Sequence, residues 1–490
     1  MDSYEEYVQQ TQLSYPAGKK ELIFAACLLL LGLALGNFVL FGGLNLGYAI
    51  VQAMCILAAA IYLRVSGHKL SFYSGALLVL SLVITAGFAR SDDGFVKFVM
   101  VCFLFVAVNL GLGLQAGKNR RNPKGVTSLL DAPGVFFGLG FGKLPESLRG
   151  LGNTLRNGGT ASKRTGAVLL GVVIAAPLLL VMVLLLTSAD AAFAGLMDQL
   201  PKFDLSELMP TVLLGGGAAC VLYSRGIALH HGETEPMEKS QRKGVNSLTV
   251  NTVLVMVCLV YVVYLVSQLA YFVGGMAGIL PAGYTMAEYA RRGFFEMGWL
   301  CAINLSVIAL SVGLVQKADR TPLFTRILCL FVGLVTLFFV VTASAKMAMY
   351  IGSYGLTRLR VLTEVIMVFL GIATLLVCIW LFVPKMPYMK AVLLVALIMG
   401  AVVLWADVDT VVARYNVQAY QSGQLDSVDV EYLTTLSAGA VPYIAQLAED
   451  GNRRAQRFMA EYHSHEFWDA AHQDLRSWNW ADWLAGIQWK

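Results

Sequence analysis

Charged residues at the ends of long apolar segments have spacings that would let them share one polar site. Glu288, Arg292 and Glu296 are each four residues apart, so on a helix they lie on one face. Acids and bases at a similar depth neutralise one another, which lowers the cost of placing them in a membrane. Together they would form a pocket that is cationic in places and able to bind an anionic group.

Two further segments carry the same spacing. Lys346 and Tyr350 are four residues apart, as are Arg360 and Glu364. The alternative interpretation is that such residues only anchor helix ends, with Lys346 and the arginines extending to the membrane interface. We predict one binding pocket at the outer leaflet, and no catalytic and no metal-ligating residues. The predicted pocket consists of Asp190, Glu288, Arg291, Arg292, Glu296, Lys346, Tyr350, Arg358, Arg360 and Glu364.

Apolar segments of membrane-spanning length fill most of the chain. Hydrophobic residues make up 57% of the sequence, charged residues 14%, and the mean hydropathy is +0.67. About 20 apolar residues cross about 30 Å of hydrocarbon as a helix. The predicted fold class is all-α, a polytopic transmembrane helix bundle of about 11 spans with a small helical extracytoplasmic C-terminal domain. The spans are predicted at 21–42, 44–64, 70–89, 95–114, 166–188, 207–226, 248–274, 293–316, 326–351, 362–383 and 389–406.

These spans divide the chain into five parts. We expect a cytoplasmic segment at 1–20, four spans in 21–114, a basic cytoplasmic loop at 115–165, seven spans in 166–406 and a helical tail at 407–490. One detail stays open: the first two spans meet at a Phe-Gly-Gly sequence that fits either a hairpin or a kinked pair. The LGGGA run of the sixth span predicts a broken helix.

The distribution of Lys and Arg predicts the orientation. The predicted cytoplasmic segments hold 22 of the 36 basic residues, nine of them in the loop 115–165 and four in the segment from Arg225 to Lys243. Basic residues favour the cytoplasmic side, so we predict a cytoplasmic N-terminus and an extracytoplasmic C-terminus. The first 20 residues carry no cleavage pattern of a removable signal peptide.

The two polar regions each allow two interpretations. The loop 115–165 mixes large apolar residues with glycine, which is typical of a segment lying on the inner membrane face beside anionic head groups, or of an ordinary basic loop without a ligand. The tail reads as three or four short helices, and five of the eight tryptophans lie in its last 23 residues. They indicate either an aromatic ligand-binding edge or a small cap that docks on the outer loops.

No residue pattern predicts a cofactor. All eight cysteines fall within predicted spans without metal-type spacing, and His230 and His231 are expected to be solvated in an inner loop. No phosphate-binding loop is present in the sequence. Partners are expected to be membrane lipids, an anionic envelope ligand and a protein partner, but not nucleic acid.

Four blocks in the second half of the chain resemble a known family. SADAAF, AEYARRGFFE, MYIGSYGLTRLRVLTE and DVDTVVARYNV are similar to an uncharacterised bacterial group of multi-pass membrane proteins, the domain-of-unknown-function families forty-one fifty-three and forty-one seventy-three. The resemblance spans about residues 165–450. It implies a bacterial inner-membrane protein and no activity that can be transferred residue by residue.

Three classes of function remain open. Sensing or interaction through the outer-leaflet pocket is favoured. Transport or flipping of an anionic or lipid-linked envelope substrate is the alternative, suggested by the number of spans and the glycine-rich run. A membrane-embedded transferase is the third, and the absence of nucleophile or metal motifs from the sequence argues against an enzyme.

The predicted orientation can be tested with fusions. A reporter that is active only in the cytoplasm should be inactive after Lys490, because the predicted spans are odd in number, and active when inserted near Asn157. Reporter activity measured in intact cells decides this, and a cytoplasmic signal from the C-terminal fusion would show that one span is miscounted.

Overall fold

The computed structural model describes residues 14–119, 129–157, 205–232, 245–276, 294–315, 321–465 and 474–487, with Met182, Leu186 and Ala189 as single residues. The chain divides into two compact units. Unit 1 comprises Met1–Met237 and His465–Lys490, and unit 2 comprises Glu238–Ser464.

Unit 1 is built from long helices and one helical loop. Its helices are α1 (Lys19–Asn37), α2 (Leu46–Val65), α3 (Phe72–Gly87), α4 (Gly94–Ala116), α5 (Leu144–Asn157), α6 (Leu205–His231) and the C-terminal α16 (Trp480–Ile487), with a helical turn at Asp131–Pro133 and π-helical segments at Phe38–Gly42 and Gly134–Phe141.

Unit 2 places five long helices before a group of short ones. They are α7 (Ser247–Met276), α8 (Phe294–Leu314), α9 (Leu323–Tyr354), α10 (Arg358–Phe382), α11 (Tyr388–Ala406), α12 (Val408–Gln421), α13 (Val430–Leu433), α14 (Val441–Glu449) and α15 (Arg453–His465), with a 3₁₀ turn at Ala438–Ala440.

Nine helices in the described part of the chain are long and apolar enough to cross a membrane, and α3 is a shorter apolar helix. The prediction of an all-helical, multi-pass membrane fold is therefore confirmed. The nine are Lys19–Gly42, Leu46–Val65, Gly94–Ala116, Glu207–His231, Ser247–Ser267, Glu296–Leu314, Leu323–Tyr354, Arg358–Phe382 and Tyr388–Ala406. The predicted span at 166–188 lies outside the described residues, apart from Met182 and Leu186, so the number of spans stays a prediction.

The first two spans form a hairpin rather than one kinked pair. The end of α1 widens into the π-helical segment Phe38–Gly42, and Gly43 then turns the chain with a φ of +68° before α2 begins at Leu46. This positive φ favours glycine, because a Cβ atom would meet its own backbone there. The hairpin lets α1 and α2 pack side by side, with the Phe24 ring 4.2 Å from the Tyr62 ring.

The predicted break in the sixth span is wrong. The LGGGA run lies inside one continuous helix, α6, and its glycines permit a close helix crossing instead. A Cβ atom on Gly215 would lie 2.5 Å from the Gly32 carbonyl oxygen, and one on Gly36 would lie 2.7 Å from the Gly215 nitrogen. Small residues spaced four apart on both helices are a common way for membrane helices to approach closely.

Helix α6 also runs further than predicted. It continues to His231, so Arg225 lies inside the helix and not in the cytoplasmic loop to which the sequence analysis assigned its charge. The expectation that His230 and His231 are solvated is wrong too. His230 and His231 are only partly exposed and end α6 beside Glu21 of α1.

The basic loop contributes to the packing of unit 1. Its described part, 129–157, packs against α6, since Ala132 is fully buried and a Cβ atom on Gly140 would lie 3.2 Å from Val221. The Ser147 hydroxyl lies 3.2 Å from the Ser224 hydroxyl of α6. The apolar residues of this loop therefore contribute to the core of unit 1.

The last described residues of the chain also pack on unit 1. The Leu46 nitrogen donates to the Trp478 carbonyl oxygen at 3.1 Å, and the Trp480 nitrogen donates to the Ala89 carbonyl oxygen at 2.8 Å. The Asn479 amide is fully buried and donates to the Ser91 carbonyl oxygen at 2.9 Å. Residues 474–487 thus cover the two turns 42–47 and 88–93.

The short helices before His465 have their own buried residues within unit 2. Of the residues predicted as the core of the tail, Leu433, Val441, Ile444 and Leu447 are buried and Phe458 is half-buried, while position 468 lies outside the described residues. The region predicted as one domain, 407–490, is therefore divided between the two units at about residue 465.

The close crossing of α1 and α6 predicts opposite effects for neighbouring glycines. Gly215→Ala should lower the melting temperature of the purified protein, because its Cβ atom would meet the backbone of α1. Gly216→Ala is the matched control: nothing lies within 4 Å of its Cβ position, and replacing a helical glycine stabilises by about 0.5–1 kcal/mol. Equal melting temperatures for the two variants would contradict the crossing.

Candidate functional site

The predicted outer-leaflet pocket is only partly within the described residues. Its members at 190, 288, 291 and 292 lie outside them. Glu296 is exposed on α8, Lys346 is half-buried on α9 and Glu364 is half-buried on α10 with a buried Oε2 atom that has no hydrogen-bond partner. Among the described residues, no ion pair joins Lys346 to Glu296 or to Glu364, so this pocket stays a prediction.

Arg358, another predicted member, forms a buried ion pair at the start of α10. Its Nε donates to Asp409 Oδ1 at 2.8 Å, and its Nη2 donates to Asp409 Oδ2. Asp409 is fully buried and also accepts from the Ser437 nitrogen at 2.9 Å. The Arg358 nitrogen donates at 2.7 Å to the Tyr432 hydroxyl, and burial raises the pKa of that phenol, which keeps it protonated.

A second set of hydrogen bonds lies beside this pair. The Leu356 nitrogen donates to Asn416 Oδ1 at 2.7 Å, and Asn416 Nδ2 donates to the Leu356 carbonyl oxygen at 2.8 Å. Gly355 leaves room for that amide, since it has a φ of +73° and a Cβ atom there would lie 2.5 Å from Asn416 Oδ1. Two of the four family-like blocks, MYIGSYGLTRLRVLTE and DVDTVVARYNV, are therefore in direct contact.

Arg360 is also held by structural contacts. Its guanidinium lies 4.1 Å from the centre of the Tyr350 ring, and it donates to the carbonyl oxygens of Tyr354, at 3.1 Å, and Gly355. A cation that binds the free carbonyls at the end of α9 stabilises that helix end. Arg358 thus joins α10 to α12, and Arg360 joins α10 to α9 at Tyr350 and Tyr354.

Unit 1 contains a large apolar cavity that the sequence analysis did not predict. It has a volume of about 640 Å³ and lies between α1, α2, α4, α6 and the π-helical segment Gly134–Phe141. Most of its lining is aliphatic or aromatic, and the side chains with a polar group are Tyr48, Gln52, Cys55, Asn109, Cys220 and Arg225. Ligand pockets typically measure about 300–1,000 Å³ and combine apolar walls with a few polar groups.

Arg225 is the charged group of this cavity. It is 5% exposed, its Nη1 donates to Asn109 Oδ1 at 3.0 Å, and its buried Nε has no hydrogen-bond partner. No carboxylate in the described part of the chain forms an ion pair with it. A guanidinium has five N–H donors, so most of its capacity to bind an anion is available inside the cavity.

The cavity is long and opens on one side. Its lining on α6 extends from Leu213 to Arg225, which is twelve residues or about 18 Å along the helix. Leu213 is 66% exposed, and Gly217 and Phe141 are also exposed, so this wall opens along the apolar surface of the span. One leaflet of a bilayer is about 15 Å thick, half of the hydrocarbon core, and the cavity is therefore as long as one acyl chain.

Comparison with known proteins assigns the chain to a family. A family described as Domain of unknown function (DUF4153) matches residues 20–447. The chain belongs to this family. No curated protein and no solved structure matches the chain.

The DUF4153 match is wider than the resemblance seen in the four blocks. It begins with α1 and so includes the first four predicted spans, and it ends in α14 before the tryptophan-rich end. Both Arg225 and the Arg358–Asp409 pair lie within it. The sequence signal that could have revealed Arg225 is the run LYSRGIALHH, in which apolar residues continue beyond the charge.

The Arg358–Asp409 pair predicts non-additive mutational effects. Asp409→Asn should cost about 3 kcal/mol of stability, the lower end for a broken buried pair because the Arg358 side chain is 34% exposed. Arg358→Gln should also destabilise, and the double variant should lose less than the sum of the two. Chemical unfolding of the purified protein measures this. Arg414→Gln, an exposed arginine on the same helix α12, is the control and should be neutral. Strictly additive losses would show that the two side chains do not interact.

Proposed function

We propose that this DUF4153 protein is a bacterial inner-membrane protein that binds an anionic lipid in the Arg225 cavity and acts in sensing or interaction. The single observation that supports the proposal most strongly is the buried guanidinium whose Nε has no partner in a cavity of about 640 Å³. The outer-leaflet pocket stays a second prediction.

The electrostatics favour an anionic ligand. An arginine within a membrane span costs up to about 2.5–3.5 kcal/mol on insertion scales, the value for the helix centre, and such residues usually have a partner. The amide oxygen of Asn109 satisfies one N–H group of Arg225 but does not neutralise its charge. A carboxylate or a phosphate group would do both, through hydrogen bonds from a charged donor.

The apolar walls favour a ligand with a hydrocarbon chain. Beyond Arg225, the cavity is lined by residues such as Leu35, Leu104 and Val108, which offer no polar partner to a small hydrophilic anion. The open wall at Leu213 and Gly217 lies on a helix of spanning length, so a lipid could enter sideways from the bilayer. These properties together describe an amphiphile with an anionic head and one chain in the cavity.

The orientation we propose has the N-terminus in the cytoplasm and the C-terminus outside, with 11 spans. In unit 1, residues 474–487 contact the turns 42–47 and 88–93, whereas Glu21 lies at the opposite ends of the helices beside His231. The two termini of the chain thus associate with opposite ends of unit 1, which supports an odd number of spans. Arg225 then lies about 9 Å from the cytoplasmic end of α6, six residues before His231.

Binding is favoured over transport and over catalysis by the arrangement around the cavity. The glycine-rich run that suggested a transporter-like broken helix belongs to a continuous helix. The π-helical segment packs over Val221 and Arg225, so the cavity is closed at that end and is a pocket rather than a passage. The lining of the cavity includes no carboxylate and no imidazole for proton transfer.

The proposal is tested by lipid binding to the full-length protein. Protein delipidated in a neutral detergent is titrated with oleate, phosphatidylglycerol or phosphatidylcholine. We expect binding of at least one of the two anionic lipids, and the pair distinguishes a carboxylate ligand from a phosphate ligand. Gly217→Leu should weaken binding at least tenfold, because Gly217 lines the cavity and nothing lies within 4 Å of its Cβ position.

Two variants make this test specific. Gly216→Leu is the matched control, since nothing surrounds its Cβ position and Gly216 is not part of the cavity lining; it should bind like the wild type. Arg225→Gln should abolish the preference for anionic over neutral lipid. Unchanged binding by both Gly217→Leu and Arg225→Gln would refute the proposal.

A further inference from the structure

A separate cluster of polar side chains lies at the other end of unit 1 from the tryptophans. Glu21 belongs to the first turn of α1, His68 to the turn between α2 and α3, and His230 and His231 to the last turn of α6. Helix packing brings these three segments together, although 209 positions separate Glu21 from His230 in the sequence. The cluster plays no part in the Arg225 cavity.

The distances within this cluster are those of groups that can share one ion. His68 Nε2 lies 3.1 Å from His230 Nδ1, and His231 Nε2 lies 3.9 Å from Glu21 Oε1. The ligand atoms of Glu21, His230 and His231 all lie within 4.8 Å of one another. A tetrahedral ion with bonds of about 2.0–2.1 Å holds its ligand atoms roughly 3.3 Å apart, so small rotations of these side chains are enough.

Burial and hydrogen bonding point to a ligand at the same place. His231 Nε2 is buried without a hydrogen-bond partner, and it faces Glu21, which is 7% exposed. Three further groups fix the cluster: the Gly18 nitrogen donates to Glu21 Oε2 at 2.7 Å, the Tyr62 hydroxyl donates to Glu21 Oε1 at 3.3 Å, and Tyr15 stacks on His231. Outer groups that orient metal ligands in this way are usual in metal sites.

The chemistry of the donors selects the ion. Three imidazoles and one carboxylate suit zinc and similar divalent transition metals, whereas Mg²⁺ and Ca²⁺ prefer a set of oxygen ligands. We infer that Glu21, His230 and His231 form a binding site for a divalent transition-metal ion of the Zn²⁺ class, with His68, which lies beside His230, as the fourth ligand. Such an ion would join α1 to α6 and, through His68, to the turn after α2.

The test is metal binding by the full-length protein, purified without a polyhistidine tag and stripped with a chelator. We expect one Zn²⁺ per chain by elemental analysis, a higher melting temperature with Zn²⁺, and no such effect of Mg²⁺. Co²⁺ in place of Zn²⁺ should give the visible absorption bands of a tetrahedral site, a readout that reports on the ligands directly.

Single substitutions identify the ligands. His231→Gln and His68→Gln should each weaken Zn²⁺ binding at least tenfold and reduce the Co²⁺ bands. Tyr62→Phe, which keeps all four ligands, should still bind Zn²⁺ and show normal Co²⁺ bands, and Glu449→Gln removes an exposed carboxylate of unit 2 as a control. Stripped wild-type protein that neither binds Zn²⁺ nor shows Co²⁺ bands would overturn the inference, as would equal Zn²⁺ affinity in wild type, His231→Gln and His68→Gln.

Discussion

A charged side chain among apolar helices must be neutralised or bound by polar groups, and this constraint explains how the arginines of this protein are arranged. Arg358 meets it with the buried carboxylate of Asp409, and Arg360 with an aromatic ring and two carbonyl oxygens. Arg225 meets it only in part, through one amide oxygen. Because this amide does not neutralise the charge of Arg225, we assign an anionic lipid to its cavity.

The shape of that cavity depends on how closely two helices approach. Gly32 and Gly36 of α1 face Gly215 of α6 with no room for a side chain between them. This contact brings α6 against α1 on one face, while other residues of α6, among them Leu213, Gly217 and Arg225, face the space beside α2 and α4. The helical loop then covers one end, where Gly140 packs against Val221 and Arg225. Backbone contact and cavity are therefore two consequences of the same glycine-rich run.

The contacts between α9, α10 and α12 connect two of the four family-like blocks, MYIGSYGLTRLRVLTE and DVDTVVARYNV. Asp409 and Asn416 of one block bind Arg358 and Leu356 of the other, and Gly355 provides the space that this requires. The two blocks are separated by the 42 mostly apolar residues 365–406, whose charged side chains are Lys385 and Lys390. The polar residues of the two blocks thus stabilise the position of the helices α12 to α14 on the ends of the spans.

Hydropathy was sufficient to predict the helices, because apolar segments of about 20 residues have few alternatives in a membrane. It could also place Arg358, Arg360 and Lys346 near helix ends. It could not show that Arg358 pairs with Asp409, since that contact depends on how α10 and α12 pack.

By sequence alone, Arg225 is counted with a cytoplasmic segment and His231 is expected to be solvated, for a related reason. A polar residue at the end of an apolar run is expected to face solvent, because the sequence does not show which other segment covers it. The three-dimensional arrangement of the loop 129–157 supplies that cover for Arg225.

The most direct test of the account is an experimental density map of the full-length protein in lipid nanodiscs that contain phosphatidylglycerol. The account predicts elongated density in the cavity of about 640 Å³, with its polar end within hydrogen-bond distance of the Arg225 guanidinium. A map in which a protein carboxylate pairs with Arg225, or in which protein side chains fill the cavity, would contradict it.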